Sequence, residues 1–140
     1  LSEALLLGYQ ITLNEEYLRI GKSTLDFLIE NSFHDDLFLP TGQSGWHQRS
    51  GRRTRFDQQP EEVMSMVYAL KTCYSITRDE HYSELMYQAF YWFLGVNSLN
   101  QVVYDRTTGG CYDGVGKKAI NLNQGAESTI AYLMARLAFE

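Results

Sequence analysis

The chain repeats itself at a spacing of 65 residues (124 − 59, 127 − 62), and aligning residue n with residue n + 65 needs no gap from end to end. Tyr9, Ile11 and Thr12 fall on Tyr74, Ile76 and Thr77; Glu15 and Tyr17 fall on Glu80 and Tyr82. Gly45 and Gly51 fall on Gly110 and Gly116, and Phe27 falls on Trp92. Chance matches would scatter, whereas these cluster at turns and helix starts. A unit this long exceeds a one-hairpin helical repeat unless it carries a long loop on one face. The expected organisation is therefore one helical domain over 1–140, built from the units 1–65 and 66–140.

Each unit reads as helix, tight turn, helix, long loop. Residues from Leu1 to Thr12 form the end of a first helix. Asn14 caps a second, with Glu15 and Glu16 in its first turn, where the helix dipole favours acids. It runs to about Glu30, with Tyr17, Ile20, Leu25, Phe27 and Leu28 at its apolar positions. Pro60 suits a first helical position, and the third helix runs from there to about Thr77. Asp79 caps a fourth helix, which Gly95 ends. The fifth starts near Gln124. The third and fifth helices are apolar nearly all round, which predicts burial on both sides, whereas the second and fourth carry polar strips that face water. The odd helices then form an inner layer, and their N-termini converge on one end. Two short β-hairpins are expected over that end. One runs from Leu37 to Pro40, turns at Thr41 to Gly45 and returns at Trp46 and His47. The other joins Val102 to Asp105 with Cys111 to Asp113.

Composition narrows the class. A hydrophobic fraction of 44% and an aromatic fraction of 14% belong to a folded chain with a real core. The formal charge of −5 argues against general nucleic-acid binding. Ten tyrosines and two tryptophans pack cores, and flat amphipathic rings also suit sugar faces. Cys73 and Cys111 lie on unlike segments, so neither a disulfide framework nor a zinc spacing can be read. Cys73 reads as core; Cys111 lies in a hairpin, and a nucleophile there needs a base partner that the sequence does not place. His34, His47 and His81 are scattered with no metal-ligand spacing, and no phosphate-loop or dinucleotide fingerprint is present, so neither metal nor cofactor is expected. No basic n-region precedes the leucines at the start, and no run is long enough to span a membrane. A cytoplasmic location is the expectation, as is a chain that is a piece of a larger protein.

The candidate site is the repeated helix start, Phe56-Asp57-Gln58-Gln59-Pro60-Glu61-Glu62 and Asn121-Leu122-Asn123-Gln124-Gly125-Ala126-Glu127. Glu62 and Glu127 suit a general acid, a general base or a ligand for sugar hydroxyls; the plainer reading is that each caps its own helix from the third position. Gln59 and Gln124 can donate to and accept from hydroxyls, or pin their loops. Asp57 and Asp113 lie in loops that capping does not fully explain, which makes them the better catalytic candidates. Trp46, Tyr104 and Tyr112 either stack on sugar or close the core as a lid. Arg49, Arg52, Arg53 and Arg55, with Lys117 and Lys118 at the matching place, form a basic rim suited to phosphate or carboxylate groups, or to contact with another domain.

These residues carry a resemblance. The alternating helices are similar to those of α/α-toroid (six-hairpin) proteins, among them sugar hydrolases, polysaccharide lyases and sugar epimerases. More closely, Phe56 to Pro60, Trp92 to Asn97, Tyr104-Asp105, Thr108 to Gly114 and Asn123-Gln124-Gly125-Ala126-Glu127-Ser128-Thr129 resemble the C-terminal helical region of certain bacterial glycosyltransferases. The likeness covers about residues 56 to 140, and the Asn-Gln-Gly-Ala-Glu-Ser-Thr run is its most specific part. It implies an all-α fold, a partial α/α toroid of helical hairpins with two long loops at one end. It also implies a carbohydrate-related domain that binds or positions a glycan for a parent glycosyltransferase, with the chemistry elsewhere in the polypeptide. Trp46, Arg55, Gln58, Gln59, Tyr112, Asn123 and Gln124 would meet the glycan. The expected partners are that glycan and either an upstream domain or a second copy. Two alternatives stand beside it. One is part of a six-hairpin hydrolase, lyase or epimerase with Asp57, Glu62, Asp113 and Glu127 at the ring mouth. The other is a protein-interaction scaffold.

Overall fold

The computed structural model of the chain describes residues 1–45, 47, 51 and 53–140. Among the described residues it is mostly helical, with α1 Ser2–Thr12, α2 Glu15–Ser32, α3 Pro60–Thr77, α4 Glu80–Tyr91 and α5 Ala126–Leu137. Two small antiparallel pairs complete it, β1 Phe33–His34 with β2 Leu37–Phe38 and β3 Gly114–Val115 with β4 Ile120–Asn121.

The repeat is visible in the backbone. Leu13 and Arg78, 65 apart, both adopt the left-handed conformation (φ 55 and 58°) and close α1 and α3. Their N–H groups donate to Tyr9 O and Tyr74 O, each at 2.8 Å. A left-handed residue after the last turn satisfies carbonyls that the helix leaves open. Asn14 and Asp79 then cap α2 and α4, accepting from the Glu16 N–H (3.0 Å) and the His81 N–H (3.1 Å). The Thr12 and Thr77 hydroxyls donate back to Gly8 O and Cys73 O.

The odd helices make one row, in which α3 packs on both α1 and α5, while α2 lies on α1 and α4 lies on α3. The Gln10 amide donates to Ser75 Oγ at 2.9 Å, and the Tyr68 hydroxyl donates to Met134 O at 3.2 Å. These partners are 65 and 66 residues apart, so neighbours in the row run parallel and nearly in repeat register. α3 sits in the middle and is the core element: Val63, Val67, Leu70 and Cys73 are fully buried. Burying each of the three aliphatic side chains contributes about 1.5–3 kcal/mol.

α5 departs from expectation. It was expected to be buried on both sides, but Ile130 and Leu137 are each 55% exposed. α3 packs along it and α4 reaches it through the Phe90–Tyr132 ring contact, which leaves Ile130 and Leu137 uncovered. An all-round apolar pattern records what a helix can bury, and the neighbours decide what it does bury.

Other boundaries shift. α2 continues to Ser32, and α5 begins at Ala126 because Gln124 is held in the loop by its side chain. α4 ends at Tyr91, and the chain turns through Trp92 to Gly95, where Gly95 has φ 107°. The first hairpin is not the expected one. Leu37–Phe38 pairs backwards with Phe33–His34, and the turn is Asp35-Asp36, with φ of 50° and 62°. Two consecutive left-handed residues match the twist of a tight hairpin, and aspartate tolerates that conformation better than most residues. The second hairpin forms where expected, as a Tyr104–Cys111 bridge with the Tyr112 N–H donating to Val103 O at 2.9 Å. The β3–β4 pair beside it was not expected. No helix among the described residues is long and apolar enough to cross a membrane.

Candidate functional site

The start of α3 is tied through Gln58 to β3, which follows the Asp113 that holds the α5 start. Its N–H donates to Val115 O and its carbonyl accepts from the Val115 N–H, both at 3.0 Å. Gly114 makes this approach possible, because a Cβ there would lie 2.5 Å from Gln58 O. The Gln58 side chain turns inward: its Oε1 accepts from the indole N–H of the fully buried Trp92 at 2.8 Å, and its Nε2 donates to Arg55 O at 3.0 Å. Gln58 was expected to meet a ligand, yet it is fully buried and both ends of its amide are engaged. The Phe56–Asp57 peptide bond just before it is cis.

The α5 start is clamped by Asp113. Its Oδ1 accepts from the Gly125 N–H and the Ser128 hydroxyl, each at 2.7 Å, and its Oδ2 accepts from the Asn123 amide. Burial pushes this carboxyl up, but the bonds from Ser128, Asn123 and Gly125 outweigh it and hold it below its ordinary range. Gln124 is fixed as well: its Oε1 accepts from the Thr108 hydroxyl at 2.7 Å and its Nε2 donates to Asp105 Oδ2 at 3.0 Å. Gly110 leaves room for it, since a Cβ there would stand 2.3 Å from Gln124 Oε1. Asp105 also accepts from the Thr107 hydroxyl and N–H, and these bonds with that of Gln124 keep it ionised far below the usual range.

The α3 start is different. Gln59 occupies the cap position without a side-chain cap bond, and Glu62, the third helical residue, takes a backbone hydrogen bond from Gln59. So Glu62 does cap its helix, but incompletely: its Oε2 is buried with no hydrogen-bond partner. Burial raises this carboxyl to about 7; the Gln59 bond and the Arg53 charge act against the rise, and the Glu61 charge adds to it. Glu61 is also raised by burial, with the Glu127 and Asp113 charges pushing the same way. Glu127 itself is exposed and is the second residue of α5, so it does not cap from the third position.

No protein-family model matches this chain, and no curated protein matches it. What the site can do rests on its own geometry. Two cavities open beside the helix starts. One, of about 240 Å³, is lined by Asp57, Gln59, Asp113, Gly114, Gly116 and Asn121. The other, of about 290 Å³, has Glu62 in its wall with Ser2, Leu28, Phe38, Ser65 and Met66. The first offers amides and carboxylates around a glycine floor, the pattern of a site for a polar, neutral group. The second offers a carboxyl that gains or loses a proton near neutrality, as a general acid or base requires.

Of the remaining expected residues, Asp57 and Arg55 are exposed, Tyr112 is half-buried against the core, and Asn123 supports Asp113. Trp46, Arg49 and Arg52 lie outside the described residues. Arg53 is not free for an anion. Its guanidinium donates to Asn31 O and Leu39 O and lies 3.0 Å from His34 Nε2, and burial lowers its pKa. Burial pushes the Cys111 thiol up to about 12, with the Glu61 and Asp113 charges acting the same way, so it is protonated at neutral pH and is no nucleophile. Among the described residues no three His, Cys, Asp or Glu side chains stand together as a metal ion would require. The sequence reading missed Asp105 and Ser128 as partners of the α5 clamp. Their signals were present: Asp105 precedes a Thr-Thr-Gly-Gly turn, and Ser128 is the third residue of α5.

Proposed function

We propose that this chain is a carbohydrate-binding helical domain that holds or positions a glycan at the end of the row where α3 and α5 start. The observation that carries this is the 240 Å³ cleft, in which Gln59, Asn121, Asp57 and Asp113 surround a floor of Gly114 and Gly116. Amide and carboxylate groups together supply both donors and acceptors, as sugar hydroxyls require, and the cleft is of a size for a single sugar ring. The sequence resemblance to the C-terminal helical region of bacterial glycosyltransferases supports a parent transferase. On that reading the row is an arc of an α/α toroid, and transfer chemistry belongs to another part of the polypeptide. Saturation-transfer NMR against a panel of mono- and oligosaccharides tests it. One saccharide should bind, and Gln59→Ala and Asn121→Ala should each weaken it by about tenfold, roughly 1.4 kcal/mol. Absence of binding at millimolar sugar would leave the interaction-scaffold reading.

Glu62 favours a second reading, in which the domain belongs to a six-hairpin hydrolase, lyase or epimerase. Its carboxyl, raised to about 7 in a cavity wall, is tuned as a catalytic acid would be. In that case Glu62→Gln abolishes turnover of the bound sugar while leaving its affinity unchanged.

A further inference from the structure

A cavity several times larger than the two beside the helix starts lies away from them. It is a groove of about 1000 Å³ between α4 and α5, lined by Tyr87, Tyr91, Leu94, Tyr104, Tyr132 and Phe139, with the exposed Arg106 and Arg136 also in its lining. Its rings already pack on one another: Tyr104 stacks on Tyr132 at 4.3 Å, and Phe139 meets both Tyr87 and Phe90 at 4.9 Å. Yet Tyr87, Tyr91 and Leu94 are each more than two-fifths exposed.

The repeat shows what such a groove is for. Shifted back by 65, Tyr87, Phe90 and Tyr91 become Lys22, Leu25 and Asp26, while Tyr132 and Phe139 become Val67 and Tyr74. Those positions, on α2 and α3, form the seat of α4. The Tyr82 hydroxyl of α4 donates to Asp26 at 3.0 Å and bonds Lys22, and Glu80 accepts from the Tyr74 hydroxyl at 3.0 Å. Under that cover Leu25 and Val67 are fully buried. The groove is thus the repeat image of an interface already formed inside the chain.

We propose that the α4–α5 groove is the seat of another helix of the α4 type, borne by a further unit of the same repeat in the same polypeptide. The occupant's face follows from the seat. Where α4 meets Lys22 and Asp26, the new helix would meet Tyr87 and Tyr91, so it presents aliphatic or aromatic residues there. Arg106 and Arg136 in the lining call for carboxylates on its surface opposite them. A second copy would have to unpack α2 or α4 to supply such a helix, because the buried residues of those helices already pack on α1 and α3. The proposal stands on the repeat and is independent of the carbohydrate reading.

The test compares Tyr91→Glu/Leu94→Glu in the 140-residue chain and in the polypeptide as its native source makes it. Both side chains are exposed here, so the 140-residue chain should lose no more than about 2 °C in Tm. The native polypeptide should lose about 5 °C or more, and amide exchange in α5 should be at least about tenfold slower in the native unsubstituted form than in the 140-residue chain. Equal small shifts in both lengths, or a native polypeptide with no further helical unit, would overturn the proposal. So would protection of α5 that vanishes on dilution, because that outcome assigns the groove to a second copy.

Discussion

The α5 start is held by Asp113, whose carboxylate takes the Gly125 N–H, the Ser128 hydroxyl and the Asn123 amide at once. The α3 start, at the equivalent place of the repeat, has a cap residue without a side-chain cap bond and a glutamate with one oxygen buried and unpaired. One carboxyl is consequently driven down and the other up to about 7. The two starts share the glutamine and the glutamate of the repeat, but the clamping Asp113 stands where the first unit has Gln48, so only one unit carries a carboxylate for that role. The difference lies in where the carboxylate comes from. Asp113 reaches α5 from a separate loop and meets three donors. Glu62 reaches back along its own helix and meets one, while burial removes the water that would satisfy the rest.

Four substitutions break or sharpen this contrast. Asp113→Ala should cost the most, about 3 kcal/mol in thermal or urea unfolding at pH 7, because it leaves three donors without their charged acceptor. Because its native pKa is lowered, that loss should be full above its ordinary value of 3.8 and should fade as pH drops through the native value. Gly114→Ala attacks the tie between the α3 start and β3. Its Cβ would press on Gln58 O, a backbone atom that cannot move without opening the Gln58–Val115 bridge. A loss of about 2 kcal/mol is expected, with exchange of the Gln58 and Val115 amides rising together.

Glu62→Gln should act the other way. Its pKa is raised on folding, from 4.5 to about 7, so the folded state resists its ionisation. The penalty is absent below 4.5, grows as pH rises toward 7 and is complete above that. The substitution should therefore stabilise the protein at pH 8, on the order of 1 kcal/mol once partial solvent screening is allowed for, and change little at pH 4. A loss of stability at pH 8 would show that the carboxylate is paired after all. Glu127→Gln, at the repeat-equivalent position, should change stability by less than about 0.5 kcal/mol at either pH, as expected of an exposed side chain.

Much of the fold was legible. The caps at Asn14 and Asp79, Pro60 at the start of α3 and the turns at Leu13 and Arg78 depend on residues within a few positions of one another. Their hydrogen bonds are local, so spacing alone identifies them. The first hairpin was misplaced because the Asp35-Asp36 turn competed with a longer glycine-containing loop and, being two residues long, paired strands that were already adjacent. Trp46 falls outside the described residues, so its expected stacking role has no structural counterpart.

The site was legible as a place and not as a set of roles. The repeat pointed to the helix starts, and the segment before α3 is bridged by Gln58 to β3, next to the Asp113 that clamps the α5 start. Which side chains face a cavity depended on partners far along the chain. Gln58 is buried because Trp92, 34 residues away, needs an acceptor for its indole N–H. Asp113 is a clamp because Gly125 and Ser128 lie 12 and 15 residues on. Glu62 is poised and Glu127 is exposed although both follow the same sequence pattern. The sequence by itself therefore determined the helices and their tight turns, because those rest on short-range hydrogen bonding and periodic burial. Only the tertiary structure decided which repeated carboxylate is desolvated, because desolvation is set by whatever packs against a side chain from elsewhere in the chain.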